Sequence, residues 1–207
     1  MSREAAQSYR TMFGLFKKKS EPVKPDASLI VPRIKHTNFL AALRDIGTGP
    51  DDTPVTEPLV GELIVTYAFD LPETFQMVCP HDCQRLGIAP GQIRAIAVAN
   101  LKRQLGNIGY QGEPPLVRMI VGGNLEACLL LVDDIWQSLA SKIPPEIVIG
   151  VPARDVLLVT TTASTRGGLQ MLRDAVKGAY GSETTHALTL QLLVRRDERW
   201  EVFDGTA

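Results

Sequence analysis

Four groups of residues have types and spacing that could do chemistry. The stretch Thr160-Thr161-Thr162-Ala163-Ser164-Thr165-Arg166-Gly167-Gly168 joins a strand-like run to a helix-like one. Hydroxyls, amides at a helix start, an arginine and two flexible glycines suit a phosphate. Ser164, Thr165, Arg166 and Gly167, with Arg154 as a second cation, form the candidate site for an anionic small molecule. The Lys-Ser/Thr ending of a P-loop and the three-glycine dinucleotide pattern are both missing. Ser164 or Thr165 as an ordinary helix N-cap accounts for the same residues.

Cys79-Pro80-His81-Asp82-Cys83 is the tightest cluster of metal-capable side chains. A structural zinc site takes four ligands, usually as two separated pairs, and no second Cys/His pair follows at finger spacing. A buried thiol with a loop histidine is the plainer reading, and no metal or cofactor is expected. Asp70, Asp133-Asp134 and Asp155 fall at the ends of strand-like runs, where carboxylates could share a rim and act as acid and base. Helix capping for Asp133 and turn chemistry for Asp70 and Asp155 are the plainer reading. Trp136, beside Ile135 and near Leu139, belongs to a core or an interface, and Trp200 opens a terminal strand that is either a protected or a partner-binding edge. Serine-hydrolase elbows and His-Glu-x-x-His helices are absent.

The elements that position these residues follow from periodicity. Leu29 to Ile34 reads as a strand with Pro32 marking an edge position, and Gly47 to Pro58 as an acidic surface loop. Glu62 to Phe69 and Thr74 to Val78 form a hairpin, followed by an amphipathic helix through Ile93, Ala97, Leu101 and Leu105. A second pass places strands at Leu116 to Val121 and Leu125 to Val132 and a helix at Asp133 to Ile143. A third places strands at Glu146 to Val151 and Asp155 to Thr161 and a helix from about Thr165 to Tyr180, and a hairpin of Ala187 to Arg195 with Trp200 to Phe203 closes the chain. The expectation is an α+β fold: a largely antiparallel sheet built from successive ββα units, with helices packed mainly on one face. Residues 1–28 read as a flexible basic tail and 29–207 as a single domain.

Charge divides unevenly along the chain. Of 207 residues, 22 are basic and 23 acidic, but residues 1–26 hold six basic and three acidic side chains, which leaves the remainder mildly acidic. An acidic body argues against nucleic acid as a partner. In the tail, Phe13 and Phe16 beside Lys17, Lys18 and Lys19 could make a weak peripheral membrane contact. No apolar run approaches the ~20 residues that cross a bilayer, and Met12 to Phe16 precedes its lysines, the reverse of an export signal. Three cysteines are too few for a disulfide framework, so the cytoplasm is the expected compartment.

Several segments resemble the YtpQ-like bacterial family, catalogued as domain of unknown function 1444. They are Ile30-Val31-Pro32-Arg33-Ile34-Lys35, Leu63 to Asp70, Ile93 to Leu101, Glu126-Ala127-Cys128 and, most specifically, Ile149-Gly150-Val151-Pro152-Ala153-Arg154-Asp155-Val156-Leu157. The resemblance spans most of residues 29–204 and implies a soluble cytoplasmic α+β protein, with no activity or catalytic residue to carry over. A complete domain pattern without a reactive constellation points first to a non-enzymatic module that binds another protein or itself. The alternative is an enzyme or binding protein for an anionic, phosphate- or carboxylate-bearing small molecule.

Overall fold

The computed structural model describes residues 25–45, 47–143, 146–163, 166–182 and 186–205. Ser164, Thr165, Phe13, Phe16 and Lys17 to Lys19, singled out above, lie outside them. The described chain is α+β and forms two antiparallel sheets rather than the one expected. Its strands are β1 (Ile30–His36), β2 (Thr56–Val60), β3 (Leu63–Leu71), β4 (Thr74–Met77), β5 (Gly109–Glu113), β6 (Leu116–Ile120), β7 (Ile147–Ala153), β8 (Val156–Thr161), β9 (Leu192–Arg196) and β10 (Arg199–Val202). Its α-helices are α1 (Asn38–Asp45), α2 (Pro80–Leu86), α3 (Ile93–Gln104), α4 (Asp133–Ala140) and α5 (Gly168–Ser182).

In the four-stranded sheet β3 is central. β1 pairs with it from Ile30 opposite Phe69 to His36 opposite Leu63, while β2 and β4 share its other edge end to end. Every residue from Leu63 to Phe69 is buried, so both faces of this strand are covered, which is why its apolar run shows no alternation. Pro32 sits on β1, an edge strand, where its missing N–H costs no ladder bond. Helix α3 packs on this sheet through Ile93, Ala97 and Leu101, spaced four apart on one face. Asn100 on the same helix donates from Nδ2 to the carbonyls of Ala27 and Ile30, both at 2.8 Å, and so pins the start of β1.

The six-stranded sheet runs in the order β10-β9-β7-β8-β6-β5. Leu172 and Val176 of α5 cover one face of it, over Val148, Leu158, Leu192 and Val194. Gly150 makes the close approach possible, because a Cβ there would lie 2.2 Å from Val176 Cγ2. The opposite face, with Ile149, Leu157 and Val159, joins the core of the first sheet through Ala127 to Val132 and Trp136. The β9–β10 turn places Asp197 and Glu198 at φ of 46° and 63°, the left-handed pair a two-residue hairpin with right-handed strand twist requires.

Three sequence expectations change. Leu125 to Val132 is not a strand: Ala127–Leu131 forms a 3-10 turn, and β6 pairs instead with β5 and β8. Each of residues 127–131 is buried, so nothing in the pattern separates a strand from a buried helical turn. The turn is held by side chains, since Trp136 Nε1 donates to the Leu129 carbonyl at 2.7 Å and Trp200 Nε1 to that of Leu130 at 3.0 Å. The two indoles meet edge to face at 4.8 Å. Second, the loop expected at Gly47 to Pro58 contains the start of β2, and the stretch after Ile34 contains α1; neither buries a residue that would announce it. Third, the last hairpin begins at Leu192; before it, the described residues pair with β7 at an isolated Ala153–Ala187 bridge.

Candidate functional site: a cationic pocket where the sheets meet

Alternation along β1 sends Arg33 and Lys35 to the face opposite Ile34. Both line a pocket of about 290 Å³ bounded by the start of α1, the loop at Asn124, the Ala127–Cys128 backbone and Arg154. Arg154 arrives from the other sheet, in the β7–β8 turn just past a register shift between Gly150 and Ala153. Its main chain is clamped on both sides: its N–H donates to the His186 carbonyl at 3.2 Å, and its carbonyl accepts from the Ala127 N–H at 3.0 Å. The pocket thus spans the seam between the two sheets, with a cation supplied from each.

Arg33 is only 6% exposed. Its Nη1 donates to the Asn124 carbonyl at 3.1 Å, and its guanidinium lies 4.3 Å over the Phe75 ring. Asn124 belongs to a loop wrapped around the buried Glu126 carboxylate, which accepts from the N–H groups of Val121 at 2.9 Å, Gly123 at 2.7 Å and Leu125 at 3.0 Å. Lys35 lies with its ammonium 5.4 Å from the Phe39 ring. His36 accepts the Asn38 N–H at Nδ1 (2.9 Å), which places its proton on Nε2, 3.6 Å from Glu62.

Cations dominate the lining of this pocket, with the carboxylates of Asp70, Glu126 and Glu62 just behind it. No carboxylate lines it, and among the described residues Arg33, Lys35 and Arg154 form no ion pair. Burial pulls the Arg33 pKa down and Arg154 adds to that, while Cys128 and the Asp70 carboxylate oppose it. Burial, then Arg33, then Arg154, pulls Lys35 below the ordinary lysine range. Cys128 at the base is held by burial at a pKa of about 11. It is therefore a neutral thiol at pH 7, donating to the Pro32 carbonyl at 3.2 Å, and offers neither a nucleophile nor a compensating charge. A cavity of this character can bind and orient a small multivalent anion.

The sequence-derived candidates separate in space. Arg154 stands at one end of β8 in the cationic pocket. Arg166 stands beyond the other end, about 20 Å of strand away, at the rim of a second cavity. Gly167 precedes α5 there with φ of 72°. The strand-end aspartates also disperse: Asp70 accepts from Gln104, Asp133 pairs with Arg195, Asp134 pairs with Lys102, and Asp155 lies in the β7–β8 turn. Among the described residues, no three His, Cys, Asp or Glu side chains gather. Cys79 is the N-cap of α2, its N–H donating to Asp82 Oδ2 at 3.1 Å, and its thiol pKa is raised by burial. Arg33 and Lys35 escaped the sequence reading. Their signal is two cations at alternate positions inside a strand of otherwise apolar residues.

Comparison with known proteins finds similarity to proteins whose names state no activity. The chain is similar to a Bacillus cereus protein named UPF0354 protein, 24% identical over 145 residues, covering 65% of this chain and 48% of the relative. It is 24% identical over 144 residues to a Bacillus anthracis protein of the same name and 25% identical over 141 residues to one from Bacillus thuringiensis, covering 64% and 63% of this chain. The chain spans about half the length of these curated relatives. No family model matches it, and no solved structure matches it. Among the described residues no helix is long and apolar enough to cross a membrane.

Proposed function

We propose that this protein is a cytoplasmic binding protein for a small multivalent anion, phosphate- or carboxylate-bearing, held by Arg33, Lys35 and Arg154. The observation that carries the reading is the convergence of three cations on one cavity whose lining contains no carboxylate. Holding like charges together in a half-buried site destabilises the fold, and an anion removes that penalty. Resemblance to the YtpQ-like family carries no activity, so this assignment calls for a direct test. Thermal unfolding at constant ionic strength provides it. Inorganic phosphate at ten times its Kd stabilises by about 1.4 kcal/mol, and Arg154→Ala abolishes that gain; equal shifts in both proteins reject the site.

A second reading, a protein-interaction module, is favoured by β5. It is an edge strand with all five residues exposed, and so offers its backbone to a partner strand. Replacing Tyr110, whose N–H faces away from β6, with Pro blocks such pairing and should prevent recovery of any stoichiometric partner.

A further inference from the structure

Helix α4 ends at Ala140 and leaves an opening against the outer strands β5 and β6, where Val117 is half-buried and Met119 forms a buried floor. The result is a cleft of about 500 Å³ between Leu139 and Ile143 on one side and Val117, Met119 and Val159 on the other. Its polar features are few. The Thr160 hydroxyl is already committed, donating to the Pro115 carbonyl at 2.6 Å. Arg166 is the one charged residue of the lining, stands exposed at the rim, and forms no ion pair among the described residues.

We infer that this cleft is a second binding site, for a monoanion with an apolar body, and specifically for a medium-chain carboxylate. An apolar cavity of a few hundred Å³ with a single convergent charge is the common form of a small-molecule site. Here the charge is positive and has no carboxylate beside it, so the complementary molecule carries one negative group at one end. The apolar walls and single cation of the cleft suit a monoanion, whereas the cationic pocket, with three cations in its lining, suits multivalent anions. The two sites lie at opposite ends of β8.

Titration calorimetry with sodium decanoate tests the inference. The expected result is saturable binding at one site, with decanol bound more weakly. Arg166→Ala should weaken decanoate about fivefold, the effect of losing an exposed charge pair, and leave decanol unchanged. Ala163→Trp fills the mouth of the cleft from an exposed loop position, so it can block binding without disturbing the core. It should abolish binding of both probes. Decanoate that binds wild type and Ala163→Trp equally, or fails to bind at its solubility limit, overturns the inference. Competition by inorganic phosphate puts the carboxylate in the cationic pocket, which overturns this inference while sustaining the proposed function. Sedimentation that shows a dimer lost in Ala163→Trp assigns the cleft to a second copy of the chain, and also overturns it.

Discussion

Replacing Lys35 with Met should make the ligand-free protein more stable. The substitution keeps a long flexible stem against Phe39 and removes one of three clustered cations. Lys35 and Arg33 are alternate residues of β1, so their backbone origins lie about 6.7 Å apart. At that distance two like charges repel by about 0.6 kcal/mol in water and about 2.5 kcal/mol at an effective dielectric of 20. Lys35 is partly buried, so a gain near 1 kcal/mol is expected, or about 2–4 °C in Tm for a chain of this size. The assay is thermal unfolding by circular dichroism in low-salt buffer free of polyvalent anions. Salt narrows the difference by screening. Alkali does so too: the folded-state pKa of Lys35 is lowered from 10.5, so between that pKa and 10.5 the unfolded chain binds more protons and wild-type stability rises with pH. The advantage of Lys35→Met is full below the folded-state pKa and closes as pH climbs through it. A variant less stable than wild type at neutral pH and low salt refutes the reasoning, because it means that the ammonium already has a stabilising partner.

Other sites test the scaffold. Gly150→Ala drives a methyl group into Val176 and Leu172 and should cost about 1–3 kcal/mol in urea unfolding, with Val176→Ala restoring part of it. Trp136→Ala removes a fully buried indole and leaves the Leu129 carbonyl without its donor, a loss of about 3–5 kcal/mol by the same measurement. Glu126→Gln turns an acceptor of three backbone N–H groups into a group with two donors of its own. It should destabilise by about 1–3 kcal/mol. It should also weaken phosphate binding, since the loop that carries Asn124 positions Arg33; unchanged binding breaks that link.

Much of the fold was legible because one-sided burial leaves a period. Helix α3, with its four-residue spacing, has such a period, whereas β3, β7 and β8 are buried nearly throughout and are legible instead as short β-branched runs bounded by turn formers. Where burial is total or nil, the pattern vanishes. Ala127–Leu131 is buried throughout and reads as a strand, whereas Gly109–Glu113 is exposed throughout and carries no periodic signal. Splitting into two sheets was also illegible, because it depends on which strands pair, and β6 chooses β8 across some forty intervening residues. The candidate site was half legible. Arg154 stood out beside a tight turn, but its neighbours in space, Arg33 and Lys35, lie more than a hundred residues away in sequence. Arg166, grouped with Arg154 by sequence proximity, ends up across the length of β8 because a strand keeps its two ends apart.

The central claim is that the seam between the sheets holds a multivalent anion. Titration calorimetry of inorganic pyrophosphate into wild type and Arg154→Met tests it most directly. The account predicts saturable one-site binding by wild type, weakened about tenfold in the variant, a change of ~1.4 kcal/mol, and weakened again by added salt. Equal affinity in the two proteins, or no binding of pyrophosphate, phosphate or citrate by wild type, contradicts it.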